Sequence, residues 1–236
     1  MTKHKLSKRL HKVAFFIKEG ASVADIGSDH AYLPVYLIKE NIAKYAVAGE
    51  VNEGPFLSAQ KQVRMNLLEE AIHVKLGNGL AVLEGEKVDT VVVAGMGGPL
   101  IRTILEEGKA HLTNVERLVL QPNIAADHIR KWLIDNKWLL IDEALVEEDG
   151  HIYEVLVAER GNPLFAYSED REKEIWLGPI LLKYKNSTFN EKWNRELEQL
   201  EKIYEIMQSA SSDSKEVANK LDEVKKKIHW LKEELT

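Results

Sequence analysis

Several short clusters of polar residues and glycine follow apolar runs along the chain. The first reads Asp25-Ile26-Gly27-Ser28-Asp29-His30-Ala31-Tyr32-Leu33-Pro34. A glycine at such a turn lets backbone approach a ligand closely. The string is not the G-x-G-x-x-G dinucleotide fingerprint, because Asp29 stands where the second glycine would be. A carboxylate there repels a pyrophosphate and suits a ligand with a cationic end, such as an α-amino group or a sulfonium. That points away from a nicotinamide dinucleotide and towards S-adenosylmethionine. An acidic turn without a ligand is the competing reading.

Four further clusters add to this one. Ala48-Gly49-Glu50-Val51-Asn52 places Glu50 23 positions after Gly27, where an acidic residue accepts ribose hydroxyls. Gly77-Asn78-Gly79 sets an amide between two glycines, within reach of an adenine edge. Gly95-Met96-Gly97-Gly98 suggests a backbone-lined floor for a flat substrate, or else a turn made for tight helix packing. Leu120-Gln121-Pro122-Asn123 supplies further polar groups.

The elements that must position these clusters alternate. Strands are expected at 22–26, 46–50, 73–76, 89–94 and 118–120, and helices at 33–40, 54–69, 99–107 and 125–136. Uniformly apolar runs such as Val91-Val92-Val93 fit a parallel sheet buried on both faces. The expectation is a doubly wound α/β domain whose clusters meet at the carboxyl ends of the strands. Trp138–Val146 and His151–Ala158, joined by Glu147-Glu148-Asp149-Gly150, read as an antiparallel edge hairpin.

Gly161-Asn162-Pro163 suggests a domain boundary, giving residues 1–160 and 161–236. A helix is expected over 168–185, kinked at Gly178-Pro179. Two heptad seams follow, Trp193, Leu197, Leu200, Tyr204 and Met207, then Val217, Leu221, Val224, Ile228, Leu231 and Leu235. A short loop between them, with Asp213 and Glu216 as a capping pair, implies an antiparallel helical hairpin. This hairpin reads either as a nucleic-acid grip or as a dimerisation surface.

Charge is distributed unevenly. The chain of 236 residues carries a net charge of −6. Its first 18 residues hold six cations and no acid, which leaves −12 for the rest. Leu6, Leu10, Val13 and Ile17 recur at helical spacing there, so this is an amphipathic helix with Lys5, Lys8, Arg9 and Lys12 expected on an outward cationic face. The acidic total argues against indiscriminate coating of nucleic acid. The absence of cysteine excludes disulfides, thiol nucleophiles and thiolate metal sites. Apolar runs fall short of the ~18 residues of a membrane span, and Val13–Ile17 is too short for a signal peptide core. A cytoplasmic protein without a metal is expected.

Taken together, Asp25–Pro34, Gly95–Gly98, Leu120–Asn123 and Gly150-His151-Ile152-Tyr153-Glu154 resemble the bacterial tRNA (adenine(22)-N1)-methyltransferases, the TrmK family. The resemblance extends over essentially the whole chain. It implies a Rossmann-like class I methyltransferase domain, S-adenosylmethionine as methyl donor, tRNA as substrate and a C-terminal coiled-coil-like domain that engages tRNA. It further implies cofactor contacts from Asp25, Gly27, Ser28, Asp29, His30, Glu50, Val51, Asn78, Gly79, Gly95 and Met96. His30, Tyr32, Met96, Gly97, Gly98, Pro122, Asn123 and Tyr153 would face the adenine, with Asp29 the candidate for a catalytic, electrostatic role. Lys5, Lys8, Arg9 and Lys12 would touch tRNA phosphates. The alternatives are a methyltransferase of the same fold acting on another RNA, a protein or a small molecule, a nicotinamide-dependent oxidoreductase, and a non-catalytic scaffold. A monomer is expected, with a dimer through the hairpin left open.

Overall fold

The computed structural model describes residues 6–209 and 215–235. One compact unit extends to Gly178 and a second begins at Pro179.

In the first unit, seven strands form one sheet in the order β3-β2-β1-β4-β5-β7-β6. They are β1 (Ala21–Ile26), β2 (Ala43–Glu50), β3 (Ile72–Leu76), β4 (Thr90–Met96), β5 (Arg117–Pro122), β6 (Trp138–Glu148) and β7 (His151–Arg160). The first five are parallel and β7 is antiparallel to both neighbours. All six residues of β1 are buried, as are Val91, Val92 and Val93, which is why these strands read as continuous apolar runs. Asp25 pairs with Ala48 on one side and Val92 on the other. The chain therefore moves outward from β1 through β2 and β3, then returns to β4 across β1. That reversal opens a crevice at the carboxyl ends of β1 and β4.

Helices α1 (Lys8–Phe15), α2 (Tyr32–Lys39), α3 (Glu53–Met65), α4 (Gly98–Glu107) and α5 (Asp127–Asp135) flank the sheet. The apolar stripe of α1 docks as expected: Leu6, Val13 and Ile17 join a core with Val92, Val119, Val155 and Val157. The Ser7 hydroxyl accepts from the Leu10 amide at 3.2 Å and caps the helix.

Two boundaries differ from the sequence reading. The β6–β7 loop is two residues, not four, because Glu148 already pairs with His151. Asp149 and Gly150 both have positive φ, the combination a tight hairpin turn demands. The compact division falls at Gly178 rather than near Arg160. A 3₁₀ turn (Pro163–Ala166) and α6 (Arg171–Leu177) belong to the sheet unit because fully buried Arg130 of α5 donates to the Ile175 carbonyl at 3.1 Å. Its guanidinium also meets Glu143 at 2.6 Å and Glu154. Burial opposes that charge, but the two carboxylates outweigh it and hold the guanidinium pKa above its ordinary value.

The second unit comprises α7 (Pro179–Lys183), α8 (Ser187–Ser209) and α9 (Lys215–Glu234). The expected kinked helix is two helices, since Pro179 has no amide hydrogen to continue α6. Phe189, Trp193, Leu200 and Leu231 are buried. Lys185, just before α8, pairs with Glu234 at the end of α9 at 2.8 Å, so the two long helices run antiparallel. The expected cap at Asp213 lies outside the described residues.

Candidate active site

The carboxyl ends of β1 and β2 are tied together by backbone. Gly27 and Ser28 amides both donate to the Gly49 carbonyl, at 2.9 and 3.1 Å. The Asp29 amide donates to Glu50 Oε1. Gly27 sits at φ +74°, and Asp29, His30 and Ala31 all follow with positive φ. Three consecutive non-glycine residues in the left-handed region cost on the order of 1 kcal/mol each, strain of the kind that gathers at functional sites. Here it turns the chain back sharply enough for α2 to start at the sheet edge.

This turn is strongly acidic. Asp25 and Glu50 are buried, while the Asp29 side chain is 74% exposed. Burial, reinforced by the Glu50 charge and opposed by the Ser28 hydroxyl bond at 2.7 Å, pushes the Asp25 carboxyl up to about 7. Three carboxylates around a left-handed glycine turn suit a ligand that brings positive charge and hydroxyl donors. Among the described residues, no group of three or more His, Cys, Asp or Glu side chains is arranged to hold a metal ion.

Next to this turn lie the ends of β4 and β5. The Met96 methyl lies over Gly27, 2.2 Å from where a Cβ would stand. The Asn123 amide donates to the Met96 carbonyl at 2.8 Å, and the Asn123 side chain donates to the Gly95 carbonyl at 2.8 Å. Gly98 donates to the Ile124 carbonyl at 2.9 Å. A Cβ on Gly98 would lie 1.9 Å from the Ala125 carbonyl oxygen, so at this position the glycine serves a tight packing contact.

The remaining sequence candidates divide. The His30 and Tyr32 rings meet at a tilt of 56° with centroids 5.4 Å apart, and His30 Nε2 lies 3.5 Å from Asp29. The Gly77 amide donates to the Glu50 carbonyl at 2.7 Å, which brings Asn78 and Gly79 beside the end of β2. Asn78 and Gly79 line a cavity of about 190 Å³ with Ile104, Gly108 and His111. Val51 is exposed just after β2 and Pro122 is buried at the end of β5. Gly97 is the last residue before α4.

The basic helix needs correction. Its cationic face is not uniformly outward. Lys8 is exposed, with only its backbone amide bonded to Glu148, and Lys12 lies over the exposed Phe15 ring at 4.9 Å, so the exception is Arg9. Arg9 turns inward: its guanidinium donates to Gln121 Oε1 and sits 5.4 Å from the Tyr153 ring centre. Lys5 lies outside the described residues. The sequence places Arg9 among the outward cations and Gln121 only among the polar groups after β5, without pairing the two. A signal was available, since Arg9 is three residues after Leu6 and four before Val13 and so shares their face.

The family model described as tRNA (adenine(22)-N(1))-methyltransferase, TrmK, matches residues 23–233. The chain belongs to the TrmK family. It is 48% identical to the tRNA (adenine(22)-N(1))-methyltransferase of Bacillus subtilis over 99% of this chain and 98% of that one. The crystal structure of the B. subtilis M1A22 tRNA methyltransferase TrmK superposes with a TM-score of 0.94 at 48% identity, covering 99% and 100% of the two chains. A Streptococcus pneumoniae structure in complex with S-adenosyl-L-methionine superposes with a TM-score of 0.86 at 42% identity, covering 98% and 100%. The acidic turn fits that ligand: it offers carboxylates for a sulfonium, an ammonium and ribose hydroxyls. The TrmK chain thus has a Rossmann-type methyltransferase sheet and a C-terminal helical hairpin.

Proposed function

We propose that this chain transfers a methyl group from S-adenosylmethionine to N1 of adenine 22 in tRNA. The observation that carries the reading is near-full-length likeness to the B. subtilis enzyme, with the acidic turn and the Gly95–Asn123 floor meeting at one crevice. When bound, S-adenosylmethionine supplies an electrophilic methyl that the N1 lone pair attacks in line, the C–S bonding pair leaving with sulfur.

Neutral adenine N1 has no proton to lose, so the protein needs no general base. Its tasks are alignment and stabilisation of the positive charge that develops on the base. Glu50 would hold the ribose hydroxyls, and Gly27 and Ser28 the methionine portion, with Asp25, Val51, Asn78, Gly79 and Met96 completing that side. Asp29 supports the reading as an electrostatic partner because its carboxylate is exposed at the turn beside His30. Tyr32, Gly97, Gly98, Pro122, Asn123 and Tyr153 would frame the adenine. N1 lies on the pairing edge, so the target nucleotide must leave its stack.

Of Lys220, Lys225, Lys226, Lys227 and Lys232, which put positive charge on α9, four have partners within the hairpin. Lys220, Lys227 and Lys232 pair with Glu216, Glu223 and Glu201, and Lys226 lies over Trp230. The hairpin would therefore engage tRNA by shape as much as by charge. Among the described residues no helix is long and apolar enough to cross a membrane. A monomer acting in the cytoplasm, where tRNA resides, completes the proposal.

The test is transfer of labelled methyl to bulk tRNA followed by nucleoside analysis. The expected product is 1-methyladenosine. Label in another nucleoside, or in protein alone, refutes the reading. Calorimetry should show binding of S-adenosylhomocysteine and none of NADH.

A further inference from the structure

Helix α1 lies directly before β1 in the chain, yet its Arg9 side chain reaches the end of β5. Gln121, completely buried at the end of β5, accepts through Oε1 from two donors at once: the Gly95 amide at 3.0 Å and the Arg9 guanidinium. Its Nε2 donates to the Pro122 carbonyl at 2.8 Å and lies 3.4 Å from Asn123 Oδ1. Asn123 in turn donates to the Gly95 carbonyl at 2.8 Å. The result is a closed ring of polar contacts across the ends of β4 and β5. Reversing the Gln121 amide would set its NH₂ against both donors, so Arg9 and Gly95 fix one orientation.

Two more contacts make Arg9 part of this ring rather than a passer-by. Its guanidinium lies 5.4 Å from the centre of the Tyr153 ring, within range of a cation–π contact. Its Nη1 would be 3.2 Å from a Cβ on Gly95, so the glycine leaves room for it. A planar guanidinium meets the amide, the aromatic face and the glycine together; an ammonium on a flexible stem does not. Both of the partners seen are uncharged.

We propose that Arg9 is a positioning residue of the target-base pocket: it locks Gln121, and through it Asn123 and Gly95, instead of gripping a tRNA phosphate. This inference rests on the methyltransferase reading above. It predicts a defect in the rate of methyl transfer, whereas a phosphate contact predicts a defect in salt-dependent affinity. A residue that neutralises one phosphate contributes about 0.9 to the log–log salt slope of duplex binding.

The experiment uses the full chain as wild type, Arg9→Lys, Arg9→Ala, Gln121→Ala and the Arg9→Ala/Gln121→Ala pair. Wild-type nucleoside analysis comes first and tests the methyltransferase reading alone. Single-turnover transfer at saturating tRNA is then compared with the tRNA Kd measured from 50 to 200 mM salt. For Arg9→Ala the rate should fall roughly 10- to 100-fold, the range typical of lost positioning contacts, with the salt slope unchanged. Arg9→Lys should stay slow, because it keeps the charge and loses the planar fork. The double variant should be little slower than Gln121→Ala alone, since both substitutions open the same ring.

Three results would overturn the proposal. One is a slope flattened by about one unit with an unchanged saturated rate. Another is full recovery of rate by Arg9→Lys. The third is multiplicative rate losses in the double variant. If Arg9→Ala does not fold, Arg9→Lys and Gln121→Ala carry the same comparisons of rate and slope.

Discussion

Asp25 should make the stability of this protein fall as pH rises through the neutral range. Its carboxyl is buried beside Glu50 and is pushed up to about 7. In the unfolded chain it titrates like an ordinary aspartate, near 4. Between those values the native state holds a proton that the unfolded state has released. Stability from this group is therefore complete below about pH 4 and lost as pH rises through about 7. The full displacement corresponds to about 4 kcal/mol, at 1.36 kcal/mol for each unit of pKa. Asp25→Asn cannot ionise and still offers Oδ1 to the Ser28 hydroxyl that now bonds Asp25 at 2.7 Å. Urea denaturation of both proteins at several pH values from 5 to 8 measures the gap, and other titrating groups cancel in the difference. The variant should gain on the wild type by about 2 to 3 kcal/mol between pH 5 and pH 8. A gap constant to within about 0.5 kcal/mol would refute the assignment of a neutral, buried carboxyl. The same reasoning predicts proton release when a cationic ligand binds near pH 7, readable as a buffer-dependent binding enthalpy.

Other substitutions test separate parts of the argument. Glu50→Ala should weaken S-adenosylhomocysteine binding by roughly 10- to 100-fold, the equivalent of one or two hydrogen bonds to a charged acceptor, as measured by calorimetry. An unchanged affinity would remove Glu50 from the ribose site. Gly98→Ala forces a Cβ to within 1.9 Å of the Ala125 carbonyl oxygen, so both backbones must move. Its methyl-transfer rate should fall by at least about tenfold, because small displacements at a reacting site are costly. Arg130→Met leaves Glu143 and Glu154 buried without their guanidinium and should cost about 3–5 kcal/mol in urea denaturation. A chain ending at Gly178 should fold and bind S-adenosylhomocysteine, whereas one ending at Arg160 should be destabilised, since it deletes the Ile175 and Trp176 carbonyls that Arg130 bonds. Circular dichroism melts of the two truncations decide this.

The features legible from the residues alone are local. The run Val91-Val92-Val93 announced a strand buried on both faces, and the stripe Leu6, Leu10, Val13 and Ile17 announced a docked helix. Periodicity and apolarity are properties of neighbouring residues, so these elements were legible. The acidic turn was legible for the same reason: Asp25, Gly27 and Asp29 lie within five residues, and their chemistry needs no distant partner to be recognised. The Gly161-Asn162-Pro163 cluster misdirected the boundary because a local breaker says nothing about what later packs back on the sheet. Long-range packing sets the rest: α6 returns to Arg130, Asp149-Gly150 alone makes the hairpin turn, and Arg9 faces Gln121 across 112 positions of chain. The raised pKa of Asp25 belongs to the same class, since it depends on burial and on Glu50 from the neighbouring strand. A side chain's charge is written in its sequence, but its partner and its dielectric surroundings are set by the strands and helices that folding brings beside it.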